Sequence, residues 1–216
     1  HDALPIYDFS KNAFSQYLKN IDNGKVFLMQ EDVEKLKAFE NQLDDELKSG
    51  NNAMVTLSME ILSKRIPEAK VICMEILDKP FDFSVSESYE SDPEKRSFAK
   101  SGEDMKNAWR KSLKYQALVR YQTSMAEQEK KKETATADGK KADLKTPIQI
   151  EEEVRKQLAK TYSNVFDQLG KLDGDDRAAE YFNAMMAVVD PHTEYFPPED
   201  KDNFDIRMSG KLEGIG

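Results

Sequence analysis

Apolar side chains recur at steps of three or four residues through most of this chain, and this helical period constrains its fold more than any other feature. Between residues 31 and 48 the repeat is unbroken, and Gly50 follows where a left-handed C-terminal cap is expected. The apolar stripe of this segment consists of Val33, Leu36, Phe39, Leu43 and Leu47. The sequence therefore predicts an amphipathic helix here and a mainly α-helical fold, a multi-helix domain with orthogonal or bundle-like packing.

Five other segments share the helical period, and local signals mark some of their ends. Ser101 and Asp104 have the spacing of a cap, and "TPIQ" after residue 145 has that of a capping box. Pro67 removes a backbone donor inside another segment, where we expect a kink or a break. The predicted helices cover residues 10–18, 53–77, 101–126, 147–169 and 177–190. The last is apolar almost all round, which predicts a helix enclosed by others.

Two segments lack the helical period. Residues 78–101 carry two prolines and read as an extended excursion over the surface, held down by Phe81, Phe83 and Tyr89. Residues 127–147 contain six lysines, five acids and no aromatic residue. Such a segment cannot bury enough apolar area to offset the entropy of ordering, so we expect a flexible insert.

Charge and composition exclude several classes of protein. The net charge of −9 repels polyanions, so nucleic acid and anionic membranes are poor partners unless a local basic patch outweighs it. No apolar run reaches the roughly 20 residues of a membrane span, and the first residues lack the pattern of a secretory leader. Cys73 is the only cysteine, lies in an apolar run, and is expected to be buried.

An acidic turn, "LDGDDRAAE", suggests calcium at first. Counted from Asp173, however, the fifth position of an EF-hand loop is Arg177 and the twelfth is Ala184, which cannot supply the required oxygen ligands. Asp175 and Asp176 are better explained as acids in the first turn of a helix, where the helix dipole favours negative charge.

The segment "KNAWRKSLKYQALVRYQ" allows two interpretations. Its basic and aromatic residues could bind single-stranded nucleic acid, or its aromatics could face the core while its cations form a solvated face. Trp109, Leu113 and Ala117 share one helical face, which favours the second interpretation. The cations are Lys106, Arg110, Lys111, Lys114 and Arg120, beside Trp109, Tyr115 and Tyr121.

No complete active site is present in the sequence. His192 invites a catalytic interpretation, but no "GxSxG" elbow supplies a nucleophile, so it is better explained as a turn residue. Metal-ligand and phosphate-binding motifs are also missing. We therefore expect no catalytic residue, no cofactor and no metal in this chain.

Four stretches together carry a family resemblance. They are "NQLDDELKSG" (residues 41–50), "KPFDFSVSESYE" (79–90), "AWRKSLK" (108–114) and "DPHTEYFPPEDKDNFDIRMSGKLEGIG" (190–216). In this order they resemble the N-terminal helical domain of the tail-specific, or carboxyl-terminal processing, serine proteases, and the last resembles its junction with the PDZ and protease portion.

The resemblance implies a periplasmic serine endopeptidase that acts on proteins with nonpolar C-termini through a Ser-Lys dyad lying outside this chain. It implies for the fragment a non-catalytic scaffold, a docking surface for an adaptor lipoprotein, and no cofactor. Residues 1–189 are then the helical domain and residues 190–216 the linker and first strand of the next portion. The alternative is a free-standing helical interaction module without enzymatic activity.

Limited digestion with trypsin tests the predicted insert. We expect the first cuts after Lys130–Lys132 or Lys140–Lys141, because exposed segments without apolar anchors open most easily. Mass spectrometry of the early fragments identifies the sites. First cuts within the predicted helices would contradict a flexible insert.

Overall fold

The computed structural model describes residues 6–138, 143–190, 192, 193 and 195. Within these ranges the chain forms α-helices, a short 3-10 turn at Pro93–Lys95, and no β-strand. The helices of the described residues are α1 (Ile6–Asp22), α2 (Gln30–Lys37), α3 (Leu43–Ser49), α4 (Ala53–Leu77), α5 (Gly102–Ala137), α6 (Pro147–Leu169) and α7 (Gly174–Val189). The prediction of a mainly α-helical fold is confirmed.

The chain divides into two compact units. The first unit comprises His1–Gly24, Glu31–Leu62 and Lys171–Gly216, and the second comprises Lys25–Gln30 and Ser63–Gly170. Helix α4 contributes residues to both units. The predicted boundary at residue 190 stays a prediction, because most of residues 190–216, including the expected first strand, lie outside the described residues.

Two buried tyrosines centre the first unit. Tyr17 of α1 and Tyr181 of α7 pack edge to face, with ring centroids 5.4 Å apart. Their hydroxyls need partners because the rings are buried. The hydroxyls of Tyr17 and Ser58 lie 2.6 Å apart in a hydrogen bond, and burial raises the pKa of Tyr17 to about 12.

The second hydroxyl of this pair donates to a buried carboxylate. Tyr181 Oη donates to Glu46 Oε2 at 3.1 Å, and the amide of Met54 donates to Glu46 Oε1 at 3.3 Å. Met54 lies in the first turn of α4, whose amides have no acceptor within the helix. One glutamate of α3 therefore accepts hydrogen bonds both from an amide at the start of α4 and from the phenol of α7.

Trp109 of α5 organises the core of the second unit. Its side chain is buried and meets Phe27, Tyr162 and Phe166, with ring centroids 5.4 to 6.3 Å away. Its indole N–H donates to the carbonyl oxygen of Val26 at 2.9 Å. Trp109 is thus a core residue, as the face it shares with buried Leu113 and Ala117 predicts.

A second buried glutamate lies in this unit. Glu151 of α6 accepts a hydrogen bond from the amide of Phe81 at 3.0 Å and pairs with Arg155 at 2.8 Å. Arg155 also donates to the carbonyl oxygen of Leu77, the last residue of α4. The chain leaving α4 is therefore held against α6 through its main chain.

The prediction of one continuous helix over residues 31–48 is wrong, because two helices, α2 and α3, occupy this segment. Residues 38–42 form tight turns in which Phe39 and Gln42 donate to carbonyls three residues earlier, and α3 then begins at Leu43. Three acids in its first turn favour a new helix N-terminus. Ser10 donates to one of them, Asp44, which fixes that start against α1. Leu47, expected in the buried stripe, is exposed.

Of the kink or break expected at Pro67, the break is absent, since α4 runs unbroken through it. The proline ring lies on the exposed face while Ile66 and Ala69 beside it are buried. Burial of neighbouring apolar residues offsets the helix propensity lost at a proline. Helix α7 is not enclosed by the described residues, because Val189 is 73% exposed.

Helix α5 extends eleven residues beyond its predicted end near Ala126 and reaches Ala137. Lysine, glutamate and alanine in this stretch favour a helix even without apolar contacts. Gln128 exchanges two hydrogen bonds with the backbone of Lys145, which ties the helix to the segment before α6. Residues 139–142 lie outside the described residues, and flexibility of the insert stays a prediction.

Substitution of Tyr181 by phenylalanine tests the buried glutamate of the first unit. We expect Tyr181→Phe to lower the free energy of unfolding by about 1–3 kcal/mol, because Glu46 Oε2 loses its donor while it stays buried. Urea denaturation measures the change. The matched control is Tyr115→Phe, whose exposed hydroxyl has no hydrogen bond among the described residues and should change stability by less than about 0.5 kcal/mol. Equal losses in the two variants would contradict this role for Glu46.

Candidate interaction surface on helix α5

The segment between α4 and α5, residues 79–99, lies along α5 and is here called the strap. Apart from the 3-10 turn, a turn at Phe83 and Ser84, and a bond from the amide of Lys79 to the carbonyl oxygen of Ile76, it has no helical structure, as predicted for residues 78–101. Phe81 stacks on Phe83 at 6.2 Å, Phe83 meets Tyr121 at 5.3 Å, and Tyr89 meets Tyr115 at 5.0 Å between ring centroids. The prediction that aromatic residues hold this segment down is confirmed.

An acid of the strap binds two cations of α5. Glu87 accepts from Arg110 at 2.9 and 2.5 Å and from Lys114 at 2.7 Å. Charge-assisted hydrogen bonds from two cations favour the ionised carboxylate, so they lower the pKa of Glu87 from its ordinary 4.5 to about 2. The sequence pattern did not reveal Glu87, because its partners lie more than 20 residues away.

The backbone of the strap also engages this basic face. Lys114 donates to the carbonyl oxygen of Val85 at 2.9 Å, and Lys111 donates to that of Ser88 at 3.2 Å. The predicted solvated face is therefore wrong for Arg110, Lys111 and Lys114, whose charges are directed into the strap. The nucleic-acid interpretation loses its support at the same three residues, since their cationic groups already have acceptors.

A cleft of about 550 Å³ opens between the end of α4, the strap and α5. Ile76, Phe81 and Val85 give it apolar surface, and Lys79 and Lys106 add positive charge. Lys106 pairs with Glu75 at 3.3 Å, whereas the ammonium of Lys79 has no acidic partner among the described residues. The arrangement suits an apolar side chain next to an anionic group, and its lining supplies no pair of nucleophile and base.

The other sequence candidates have structural roles. Asp173 caps α7 by accepting from the amides of Asp175 and Asp176, and Asp176 completes the capping box, so the helix-start interpretation is confirmed. His192 lies in an exposed turn, where its amide donates to Asp190. Cys73 is buried as predicted, and burial raises the pKa of its thiol to about 12.

The described part of the chain lacks the features of a metal site or of a membrane-spanning helix. It contains no group of three or more histidine, cysteine or acidic side chains placed to hold a metal ion. Among its helices, none combines the length and the apolar character that crossing a bilayer requires.

Comparison with known proteins identifies the family. A family model described as the tail specific protease N-terminal domain matches residues 7–199. This chain belongs to that family. The tail-specific protease of Haemophilus influenzae is 25% identical to it over 210 residues, which are 97% of this chain and 27% of that protein. The chain thus spans about a quarter of its relative's length, and the resemblance noted in the sequence is confirmed.

Within this tail-specific protease N-terminal domain, Glu87→Gln tests how the strap is held. We expect chymotrypsin to cut at Phe83 or Tyr89 roughly threefold faster or more, because the two charge-assisted contacts are weakened. The control is Glu152→Gln, which removes an exposed ion pair with Lys156 on α6 and should leave the rate unchanged.

The pH dependence follows from the same pairing. Because the pKa of Glu87 is lowered in the folded chain, its stabilising contribution is complete above about pH 4.5 and is lost as the pH falls towards 2. Carboxyl-carbon NMR of the intact chain should give a titration midpoint near 2 for Glu87. A midpoint near 4.5 would contradict the contacts with Arg110 and Lys114.

Proposed function

We propose that this chain is the N-terminal helical scaffold of a periplasmic serine endopeptidase that degrades or processes proteins from nonpolar C-termini. The observation that carries the proposal is the family match over residues 7–199. The relative from Haemophilus influenzae, named a tail-specific protease, supports a proteolytic parent. In this proposal the PDZ portion and a Ser-Lys dyad belong to the parent and lie outside these 216 residues.

The scaffold itself contributes no catalytic residue. Its buried serine hydroxyls support this part of the proposal, because they are bonded to structural partners. Ser58 pairs with Tyr17 and donates to the carbonyl oxygen of Val55, and Ser10 donates to Asp44 at the start of α3. Neither Ser58 nor Ser10 has a lysine as its hydrogen-bond partner, although a Ser-Lys mechanism requires one.

The scaffold also presents a docking surface for an adaptor lipoprotein. Support comes from the strap and the neighbouring cleft, which combine exposed apolar surface at Val85 with positive charge at Lys79. Monomeric proteins expose apolar surface next to polar groups where they bind other proteins. The docking role is therefore proposed for the second unit.

A cleavage assay tests the non-catalytic role. The purified chain is incubated with an unstructured protein that ends in apolar residues, and we expect no product by mass spectrometry. The tail-specific protease of Haemophilus influenzae, at the same molar concentration, serves as the positive control. Cleavage by the chain alone that a serine-directed reagent blocks would contradict the proposal.

The gene distinguishes the scaffold from a free-standing interaction module. The reading frame should continue from these residues into a PDZ-like segment and a serine protease. A stop codon directly after them would favour the module instead.

A further inference from the structure

The cleft between the end of α4, the strap and α5 has the size and the apolar surface of a small binding site. Its volume is about 550 Å³, and sites for small ligands measure roughly 300–1,000 Å³. Ile76 and Phe81 form part of its wall, and Val85, which is 52% exposed, adds apolar surface to it. An apolar side chain that enters the cleft therefore leaves water and removes apolar surface of the chain from water as well.

Two of the three carboxylates in the lining are already engaged by groups of the chain itself. Glu87 binds Arg110 and Lys114, which are two of the four cations of the lining. Asp82 accepts hydrogen bonds from the amide and the hydroxyl of Ser84. The charge that a ligand can use therefore comes from the other two cations.

The remaining charges of the lining leave one cation in excess. Lys106 pairs with Glu75 at 3.3 Å, but both side chains are more than half exposed, and such pairs are weak because water screens them. Lys79 has no acidic partner among the described residues. The whole lining holds four cations and three carboxylates, in a chain whose net charge is −9. One carboxylate brought by a ligand neutralises this excess and is complementary to the cleft.

In a polypeptide, the main-chain carboxylate and an apolar side chain share one Cα atom only at the C-terminal residue. Within an extended segment, successive side chains point to opposite sides, so a glutamate and the apolar residue next to it cannot both enter one cleft. A free amino acid brings an ammonium group as well, which the excess of cations repels. The C-terminal residue of a chain therefore fits this lining better than an internal acidic segment or a free amino acid.

The polar part of the lining favours a peptide over a fatty acid. Glu75 and Asp82 are exposed carboxylates that can accept hydrogen bonds from the amide N–H groups of a peptide. An alkyl chain has no donor, so it would take water from these carboxylates without replacing its hydrogen bonds.

We propose that this cleft binds the C-terminal residue of an unstructured protein tail, with the tail's carboxylate at Lys79 and Lys106. The apolar side chain of that residue lies against Ile76, Phe81 and Val85. The inference rests on the proposed function for the source of the tails, which are those that the parent degrades. A tail held on the scaffold is present at a raised local concentration for the rest of the parent, as in other binding by two linked sites.

Peptide titrations of the 216-residue chain, followed by amide NMR, test the ligand. The probe is acetyl-Ser-Gly-Ala-Leu-Ala-Leu with a free C-terminal carboxylate, and its matched control is the same peptide with a C-terminal amide. We expect the amide to bind about tenfold more weakly or worse, because it lacks the charge that faces Lys79. A serine in place of the last leucine should weaken binding about threefold or more. Equal binding by the acid and the amide would overturn the proposal.

Two further ligands distinguish other sources of the same chemistry. Octanoate carries a carboxylate and an alkyl chain, and it should bind more weakly than the free-acid peptide. The peptide acetyl-Ser-Gly-Glu-Leu-Ala-Ser-amide carries an internal acid, and it should also bind more weakly. Tighter binding of octanoate would assign the cleft to a fatty acid, and tighter binding of the internal acid would assign it to an acidic segment of another protein. Either result would overturn a site for C-terminal tails.

Variants of the chain test the place of binding. Lys79→Glu should weaken binding of the free-acid peptide about fivefold or more. Lys64→Glu is its control, because Lys64 is also an exposed lysine but lies outside the cleft, and it should change affinity by less than about twofold. Equal losses from the two lysine variants would reduce the effect to overall charge and overturn the assignment of the cleft.

The apolar contact has a matched pair of its own. Val85→Ser should weaken binding of the leucine peptide about twofold or more, whereas Val119→Ser, on α5 outside the cleft, should leave it unchanged. Equal effects of the two variants would contradict the placement of the apolar side chain. Failure of the free-acid peptide to bind would overturn this site alone, because the cleavage assay and the reading frame test the proteolytic parent separately.

Discussion

A main-chain amide at the start of a helix, or just after its end, needs a hydrogen-bond acceptor once it is buried. In each unit of this chain a buried glutamate supplies that acceptor. In the first unit Glu46 accepts from Met54 at the start of α4 and from Tyr181. In the second, Glu151 accepts from Phe81 just after the end of α4. A carboxylate satisfies two donors at once, which allows a small helical unit to fix a chain junction with one side chain.

At the surface, the backbone of the strap is likewise held by side chains that bind its polar groups. Past Phe81 no helix is available to satisfy the backbone, and the cations of α5 take over that function. They bind Glu87 and the carbonyls of Val85 and Ser88, all of which are acceptors, whereas the amides of Ser84 and Asp92 bond to carboxylates of the strap itself. This asymmetry follows from the chemistry of lysine and arginine, which are donors only.

Features set by neighbours in the sequence could be predicted. The cap at Gly50 has a positive φ of 69°, and the capping box at Thr146 and Gln149 is complete, since both depend on residues at most four apart. The core face of Trp109 also follows from local spacing. Likewise, the aromatic anchors of the strap could be expected from their size and from the lack of a helical period around them.

Features that depend on residues far apart in the sequence could not be predicted. The break between α2 and α3 depends on Ser10, 34 residues from its partner Asp44. The role of Glu87 depends on Arg110, 23 residues along the chain. At Pro67 the local rule was overruled by burial of the flanking side chains. In the candidate surface, the helical period correctly placed the cations of α5 on one face. It predicted that this face is exposed to solvent, because the spacing of the cations does not reveal that the strap packs over them.

The single cysteine has a practical consequence. Cys73 is fully enclosed, and its raised pKa keeps it in the unreactive thiol form at neutral pH. A new cysteine placed at an outward position such as Ser86 would then be the only thiolate that a maleimide dye meets. The native chain is thus ready for site-specific fluorescence or spin labelling, without first removing any residue from its interior.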